Sequence, residues 1–379
     1  MTLIIKIDKY WYDLTNFFHP GGDVIKKFNQ KDATVAYKTI HYTQNISKLE
    51  KYICEKSEAV CVEKPIYEFE SDFALDLKCL PYLRDSAPIV WWIRYAVINI
   101  FWILFEYLHF IKSNIFIALG LGVTYSLMGL CIGHDGSHGS VSKIPRINSF
   151  MSRYMDLIGS NNSYWFKQHI MQHHAFTNNS KLDPDTIGGE PFFAIDPEKR
   201  HKNQKYSIPV IWLLGFTIVF NIPRLIKSKD ILGVLLRIIF LMKTFHGGIL
   251  NGIVVIFTTG FILSNLFIIS HNTDETKRNQ NDTCWYKCQV ESSCTYGGYF
   301  AGLITGGLND QITHHIFPRM NSCYFPKVQN KVRAICKKHN VNYIYYPTIW
   351  ENYKACYKFL TNSNENVGKI QTGTYNKSE

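Results

Sequence analysis

Residues 134–138 read HDGSH and residues 168–174 read QHIMQHH, and this stretch determines how the rest of the chain is interpreted. Five of the fourteen histidines fall between His134 and His174, directly after long apolar segments. So many imidazole side chains are seldom buried together in the hydrophobic core of a soluble protein, and they are rarer still within a bilayer. The stretch therefore predicts a metal centre held at a membrane face.

The composition indicates a membrane protein and not a nucleic-acid-binding protein. Only 19% of the 379 residues are charged, 15% are aromatic, and the formal net charge is +11. No basic recognition module accounts for that charge, whereas lysines and arginines kept on cytosolic loops do. The ten cysteines are scattered. Cys284, Cys288 and Cys294 come nearest to a zinc pattern, but their spacing is wrong for paired ligands, so free thiols are predicted.

Four segments are predicted to cross the bilayer, which makes the chain a mainly α-helical membrane protein. Apolar spans cover residues 87–110, 115–132 and 247–270, each close to one bilayer thickness. Two shorter apolar pieces compete for the remaining crossing. Because the histidines before and after them must share one face, the number of crossings must be even. We assign 208–222 to the third crossing and 231–242 to the membrane interface.

The distribution of lysine and arginine predicts the orientation. Nine of these residues lie between His134 and Ser207 and thirteen follow His271, whereas the turn between the first two spans holds only Lys112. The long histidine-rich segments are therefore expected on the cytosolic side. No signal peptide opens the sequence, so we expect both termini to be cytosolic as well.

The histidines follow a helical spacing. His134 and His138 are four residues apart, so on a helix they lie on one face and can bind one ion together. His169 and His173 repeat that spacing. His174 points about a quarter-turn away and can bind a second ion.

A third cluster lies near the carboxyl end. Gln311, His314 and His315 again fall at i, i+3 and i+4, and His271 ends the last span at the same depth. Any one of these histidines alone can be an ordinary core residue, but three clusters with helical spacing favour a shared site. The complete set of predicted metal ligands is His134, His138, His169, His173, His174, His271, Gln311, His314 and His315.

The number of ligands favours two iron ions. Eight imidazoles exceed the four ligands of a closed zinc site, whereas imidazole suits iron and two ions leave room for dioxygen. Nearby carboxylates are predicted to orient the rings by hydrogen bonds. These carboxylates are Asp135, Asp183, Asp185 and Asp310.

This constellation resembles the membrane fatty-acid desaturases, in the pattern His-x3-His, His-x3-His-His and Gln-x2-His-His. Gln311 in place of a histidine is similar to the front-end branch of that family. The resemblance implies two non-haem iron ions, dioxygen, a multi-pass endoplasmic reticulum membrane protein, and a long-chain acyl-CoA or phospholipid-linked acyl substrate. It also implies insertion of a cis double bond between an existing one and the carboxyl end, at Δ4, Δ5, Δ6 or Δ8. Ser137 and Asp310 stand where relatives often differ.

Residues 1–60 carry a second pattern. Residues 12–22 read YDLTNFFHPGG, Asp-Ala-Thr follows at 32–34, and a helix-like run ends at His41. Two histidines that end helical hairpins can clamp a haem iron from both faces, which leaves no position for oxygen and suits electron transfer. The string resembles the cytochrome b5 family, whose axial ligands map onto His19 and His41. That resemblance implies haem b, a small α+β domain, and an NADH-dependent cytochrome b5 reductase as electron donor.

The predicted organisation has four parts: a haem-binding domain at 1–60, a linker at 61–86, a desaturase domain at 87–360 and a disordered tail at 361–379. The strand and helix that usually precede the 4–7 strand in the cytochrome b5 pattern do not occur, so the domain is expected to be truncated at its start. Three other functions remain open. A sphingolipid long-chain-base desaturase shares the fusion and the glutamine, a lipid hydroxylase shares the scaffold, and a membrane-anchored haem carrier needs only His19 and His41.

Overall fold

A computed structural model describes residues 2–7, 10–19, 25–26, 28–31, 33, 37, 41, 46–54, 86–187, 190, 193–200, 203–207, 230–279 and 285–361. The amino-terminal part forms an antiparallel hairpin of β1 (Ile4–Ile7) and β2 (Tyr10–Asp13), followed by a 3-10 helix at Ile46–Tyr52. Alternate residues of β1 point into a small core with Tyr12 and Leu49, as expected for a half-buried strand. The predicted strand at 4–7 is confirmed.

The membrane part begins with a helical hairpin of α1 (Ile89–Lys112) and α2 (Ile115–Met128). The side chain of Asn114 accepts a hydrogen bond from the Ile117 N–H at 3.0 Å and so caps α2. After one π-helical turn at Gly129–Gly133, the chain continues without a break into the short helix α3 (His134–His138). One long apolar helix therefore carries the first histidine pair.

The chain then passes through a cap of short helices that contains the second histidine cluster. The α-helices here are α4 (Pro145–Ser152), α5 (Tyr154–Leu157), α6 (Asn162–Trp165), α7 (His174–Phe176) and α8 (Gln204–Ser207). A π-helix at Phe166–His173 joins α6 to α7, and 3-10 turns occupy Pro184–Thr186 and Pro197–Lys199.

Two further helices, α9 (Ile231–His246) and α10 (Ile249–Ile268), return the chain to the membrane part. At its start, α9 is capped by Asp230, which also accepts hydrogen bonds from Arg153 and Ser163 of the cap. Near its end, the Thr244 carbonyl lies 3.0 Å from Nε2 of His109 in α1. The helix therefore runs from the cap to the far end of the α1–α2 hairpin.

This course corrects the prediction that 231–242 lies in the membrane interface. A helix that lies flat in the interface cannot contact both the cap and the far end of the α1–α2 hairpin, whereas α9 does so over sixteen residues, or about 24 Å. The apolar run stops at Lys243, but the Lys243 ammonium contacts the Glu106 carboxylate of α1. This ion pair lets the helix continue one more turn. The alternative third crossing, 208–222, lies outside the described residues.

Three helices of the described part are long and apolar enough to cross a membrane by length and composition: Ile89–Lys112, Ile115–His138 and Ile249–Ile268. They coincide with three of the predicted spans, at 87–110, 115–132 and 247–270. Their shared core lies between α1, α2 and α10 and includes the fully buried side chains of Trp91, Leu121, Tyr125 and Val255.

The remaining elements complete the cap. They are α11 (Trp285–Glu291), β3 (Cys294–Tyr296), α12 (Gly298–Thr305), α13 (Gln311–Ile316), a 3-10 turn at Ser322–Tyr324, α14 (Phe325–Lys338), β4 (Ile344–Tyr346) and α15 (Ile349–Thr361). Strands β3 and β4 pair in parallel. The core between α11, α13 and α14 also receives Phe28 from the amino-terminal part, so the two parts are in contact. Most of the predicted linker and the tail beyond Thr361 lie outside the described residues.

Candidate metal centre

The cap and the ends of the long helices bring all nine predicted ligands into one buried cluster. The ring nitrogens form two groups, and within each group all nitrogens lie within 4.8 Å of one another. The first group contains His134, His138, His169 and His314, and the second contains His173, His271 and His315. His174 lies between them, with ring centroids 4.7 Å from His138 and 4.3 Å from His315. The cluster therefore has the form of two adjoining sites.

The first group depends on how α3 is held. Oδ2 of Asp135 accepts hydrogen bonds from Nε1 of Trp91 at 2.7 Å and from Oγ of Ser322 at 2.9 Å. Oδ1 of Asp135 lies 3.9 Å from Nδ1 of His134, which is too far for a hydrogen bond. Asp135 was predicted to orient an imidazole, and this is corrected: the carboxylate anchors the helix that carries His134 and His138.

The π-helix at Phe166–His173 keeps its two histidines side by side. The sequence predicts that His169 and His173 repeat the pairing of the first cluster, because residues four apart lie on one face of a helix. Their rings do stack, with centroids 5.3 Å apart and an interplanar angle of 15°. His169 joins the first group and His173 joins the second, although both nitrogens also lie within 4.8 Å of a carboxylate oxygen of Asp185.

His173 receives carboxylates from the following turn, as predicted. Its Nδ1 lies 3.0 Å from Oδ2 of Asp183 and 3.4 Å from Oδ2 of Asp185. Oδ1 of Asp185 also accepts a hydrogen bond from Nε2 of Gln168 at 2.7 Å. These contacts place the Nδ1 proton on the carboxylate side, so Nε2 faces the rest of the second group.

Two other rings of the second group are oriented by residues that no sequence motif singles out. Nδ1 of His271 donates to the Ser292 carbonyl at 3.0 Å, and Nδ1 of His315 donates to Oε1 of Gln289 at 2.8 Å. In both rings Nε2 therefore points into the second group, where it lies 3.0 Å (His271) and 3.4 Å (His315) from Nε2 of Gln311. Gln289 and Ser292 lie on or beside α11, outside every histidine motif, and only the fold brings them to these rings.

The last histidine cluster is positioned by the start of α13. Oδ1 of Asp310 accepts a hydrogen bond from the Thr313 N–H at 3.4 Å and one from Oγ1 of Thr295 at 3.2 Å. Asp310 therefore caps the helix and contacts no imidazole through these bonds, which corrects its predicted role. Nε2 of Gln311 lies 3.0 Å from Nε2 of His271, so the glutamine side chain reaches the second group.

Burial and mutual repulsion favour neutral rings over most of the cluster outside the spans. Both effects hold the pKa of His169, His174, His314 and His315 well below its usual value. Burial, with the charge of His173, lowers the pKa of His271 to about 3. Although burial alone lowers it, the carboxylates of Asp183 and Asp185 raise the pKa of His173 to about 9. A cation that binds there must displace a proton.

The buried donor set fits metal ions. Among the described residues, both nitrogens of His138 and of His174, Nε2 of His314 and Oε1 of Gln311 are buried without a hydrogen-bond partner. A buried polar atom without a partner costs roughly 1–3 kcal/mol. A cation bound by these lone pairs removes that cost, and imidazole ligands suit iron. Their role as ligands stays a prediction.

An aromatic wall covers the first group. The ring of Trp165 stacks on His169 with centroids 4.6 Å apart and an interplanar angle of 21°. Phe267, one turn before His271, lies 5.2 Å from Trp165 and 6.0 Å from His169. These two side chains give the cluster an apolar boundary that excludes water.

The amino-terminal histidines also face each other. The ring centroids of His19 and His41 are 5.8 Å apart, and Tyr37 stacks on His41 at 4.9 Å. Burial lowers the pKa of His19, and burial with the charge of His19 lowers the pKa of His41 to about 4. Nδ1 of His41 is buried without a hydrogen-bond partner among the described residues. Two neutral facing imidazoles fit a bis-histidine haem, which stays a prediction; Gly21, Gly22 and Thr34 lie outside the described residues.

Comparison with known proteins shows a relationship over most of the chain. The family model described as "Fatty acid desaturase" matches residues 113–347. An acyl-lipid (7-3)-desaturase of Diacronema lutheri is 26% identical over 93% of this chain and 86% of its own length. A probable Delta(5) fatty acid desaturase C of Dictyostelium discoideum is 26% identical over 97% and 93%. An acyl-lipid (8-3)-desaturase of Physcomitrium patens is 26% identical over 92% and 85%.

Proposed function

The chain belongs to the fatty acid desaturase family, and on that basis we propose that it is a front-end desaturase of long-chain polyunsaturated acyl lipids. As a member of the family it is an oxygen-dependent oxidoreductase of lipid metabolism. The proposed reaction inserts a cis double bond between an existing double bond and the carboxyl end, at Δ4, Δ5, Δ6 or Δ8. Relatives named as (7-3)-, (8-3)- and Delta(5)-desaturases support this type of reaction.

The observation that carries the proposal is the division of the buried cluster into two groups of nitrogens. Desaturases of this family are di-iron enzymes, and each group offers enough imidazoles for one iron. The proposed first site uses His134, His138, His169 and His314. The proposed second site uses His173, His271 and His315 with Gln311, and His174 lies between the two sites.

The chain's own residues orient and shield the site. When bound, the iron pair supplies the oxidising power to remove two hydrogens from adjacent methylenes with dioxygen. Asp183, Gln289 and the Ser292 carbonyl each hold an Nδ1 proton, so that Nε2 of the ring faces inward. Trp165 and Phe267 exclude water and offer an apolar surface to a saturated chain. No acid, base or nucleophile from the protein is required.

Electrons are proposed to reach this site through the amino-terminal part. His19 and His41 would hold haem b, and an NADH-dependent cytochrome b5 reductase would reduce it. The contact of Phe28 with the cap core supports a direct route between the two parts. We further propose an endoplasmic reticulum location with both termini cytosolic, supported by the excess of lysine and arginine in the cap segments.

Expression in yeast with a panel of polyunsaturated fatty acids tests the proposal, with products identified by gas chromatography. A new double bond on the carboxyl side of an existing one is expected. His173→Ala should abolish this product and leave the haem spectrum unchanged. His246→Ala, at the far end of α9, is the matched control and should retain full activity. Products formed on sphingoid bases, or no product from the wild-type chain, would contradict the proposal.

A further inference from the structure

The second nitrogen group is tied to one dipeptide that belongs to no predicted ligand set, Thr177–Asn178. It directly follows α7, which begins at His174, and Asn178 is 2% exposed. Hydrogen bonds join the dipeptide to all three acceptors that receive the Nδ1 protons of the second group: Asp183, Gln289 and the Ser292 carbonyl. The supports of all three rings therefore meet at these two residues.

The backbone of Asn178 supports the acceptor of His173. The Asn178 N–H donates to Oδ2 of Asp183 at 2.8 Å, and that oxygen lies 3.0 Å from Nδ1 of His173. Asn178 has a φ of +61°, in the left-handed region, which asparagine adopts more readily than most residues that have a Cβ. The residue type is therefore suited to the turn that aims this N–H at the carboxylate.

The side chain of Asn178 supports the acceptor of His271. Nδ2 of Asn178 lies 3.1 Å from the Ser292 carbonyl oxygen, which also accepts the Nδ1 proton of His271. It lies 2.9 Å from the carbonyl oxygen of His271 and 3.2 Å from that of Lys277. All three partners are acceptors, so the amide nitrogen and not its oxygen must face them. The amide thus supplies the donors that let three carbonyl oxygens converge beside His271.

The contribution of Thr177 is smaller. Its Oγ1 lies 3.0 Å from Oε1 of Gln289, which accepts the Nδ1 proton of His315. It also lies 2.8 Å from the His173 carbonyl oxygen, and a hydroxyl has one proton to donate. The threonine proton is thus shared between two acceptors, whereas Asn178 supports the acceptors of two rings through separate donors.

The first nitrogen group is supported by other residues. Its helix α3 is anchored through the Asp135 carboxylate. Among the described residues, no hydrogen bond of Asn178 reaches a ring of the first group; each one ends at Asp183, at Asn279 or at a carbonyl of the 271–292 segment. A change at Asn178 should therefore act on the second group and spare the first.

We propose that Asn178 is a positioning residue of the second iron site, which holds the acceptors of His173 and His271 so that Nε2 of both rings points into the second group. The inference rests on the proposed two-iron desaturase and adds a residue that is not itself a ligand. Loss of the Asn178 amide should weaken iron binding in the second site and leave the first site filled.

Asn178→Asp tests this role with little change of shape. It replaces the Nδ2 donor by a carboxylate oxygen that faces three carbonyl oxygens, so the hydrogen bonds become repulsive contacts. Loss of a residue that supports metal-bound histidines lowers metal affinity by about tenfold to a hundredfold. We expect a chelator to remove one of the two non-haem irons at a concentration lower by about that factor than in the wild-type chain. Mössbauer spectra should lose the component of that iron and retain the other.

Asn279→Asp is the matched control. Asn279 also has a positive φ, of +50°. In its described hydrogen bonds, however, its side chain acts only as an acceptor, with Oδ1 2.8 Å from the Ser180 nitrogen. Aspartate keeps that acceptor, so both irons should resist the chelator as in the wild-type chain. Asn178→Gly is measured in parallel, because glycine permits a φ of +61° and removes the amide. It should release the same iron as Asn178→Asp.

Size-exclusion elution shows whether the variants are folded. Asn178→Asp decides the test if it elutes like the wild-type chain, and Asn178→Gly decides it otherwise. Wild-type resistance of both irons to the chelator in the deciding variant would overturn the proposal. Equal loss of both irons would also overturn it, because the effect would not be confined to the second site.

The iron measurements and the product assay separate this inference from the proposed function. Desaturated product from the wild-type chain, with both irons retained in the Asn178 variants, refutes this inference alone. Selective loss of one iron in these variants, with no desaturated product from the wild-type chain, supports this inference and refutes the proposed function.

Discussion

Gln289→Leu is the sharpest test of how the metal centre is held, because it removes one hydrogen-bond acceptor and preserves most of the side-chain volume. Oε1 of Gln289 accepts the Nδ1 proton of His315 at 2.8 Å and a hydrogen bond from Oγ1 of Thr177 at 3.0 Å. Thr177 keeps an alternative acceptor, the His173 carbonyl, at 2.8 Å. The substitution therefore leaves the ring N–H of His315 with only a long contact to Oγ1 of Thr177, 3.3 Å away.

The magnitude follows from that single lost partner. An unsatisfied buried donor costs roughly 1–3 kcal/mol, and at about 1.4 kcal/mol per factor of ten this corresponds to a loss of about tenfold to a hundredfold in metal affinity. Loss of a residue that orients a metal-bound histidine has effects of about the same size. We expect desaturation to fall with iron content, since the substitution touches no proposed substrate contact.

The assay is iron content per chain after dialysis against a series of chelator concentrations, measured beside desaturase activity. Gln289→Glu is the matched control: it restores an acceptor for His315 and should recover most of the iron. Wild-type iron retention in Gln289→Leu would refute the proposed role of Gln289. Equal losses in both variants would show that packing, and not the hydrogen bond, is responsible.

Four further outcomes test other parts of the structure. The purified protein should hold two iron ions per chain besides haem, and elemental analysis that finds zinc or haem iron alone contradicts the two-site assignment. His19→Ala should remove the haem absorbance while the non-haem iron remains, as measured by spectroscopy and metal analysis. Gly306→Ala should lower the free energy of unfolding by about 2–4 kcal/mol, since φ is +68° and a Cβ would lie 2.5 Å from the Leu130 carbonyl oxygen. Gly298→Ala is the control for the backbone strain alone, because φ is +65° and no atom lies within 4 Å of the added Cβ. It should lower the free energy of unfolding by about 1 kcal/mol. A cysteine at Gly248 should react with an impermeant maleimide only from the luminal side, and labelling from the cytosolic side would contradict the course of α9.

The site residues that could be predicted from the sequence are those whose residue type and spacing are themselves typical of metal ligands. The ligand candidates are conspicuous because buried histidine is rare in a membrane protein and helical spacing places several on one face. The division between the two groups could not be predicted, because it depends on how the fold brings His314 toward His169, and His271 and His315 toward His173. Gln289 and Ser292 are ordinary residues in sequence, and only the fold brings them to His315 and His271.

The error over residues 231–242 has a different origin. A hydropathy calculation ends the apolar segment at Lys243, because it scores the charge of the lysine and takes no account of an ion-pair partner. In the structure the ammonium of Lys243 contacts Glu106, which also accepts hydrogen bonds from Tyr125 and from Trp102. Glu106 is more than a hundred residues away in the sequence. The local sequence around Lys243 therefore does not reveal the ion pair that stabilises this last helical turn.

The π-helix at Phe166–His173 has a mechanical consequence. One rigid segment carries a ring of each nitrogen group, His169 in the first and His173 in the second. The two rings also stack on each other, with centroids 5.3 Å apart, so a movement of one ring is felt by the other group. A single-residue deletion between the two histidines would break this stack and turn one ring away from its group. The two proposed iron sites therefore share one short segment, and damage to that segment would disturb both of them.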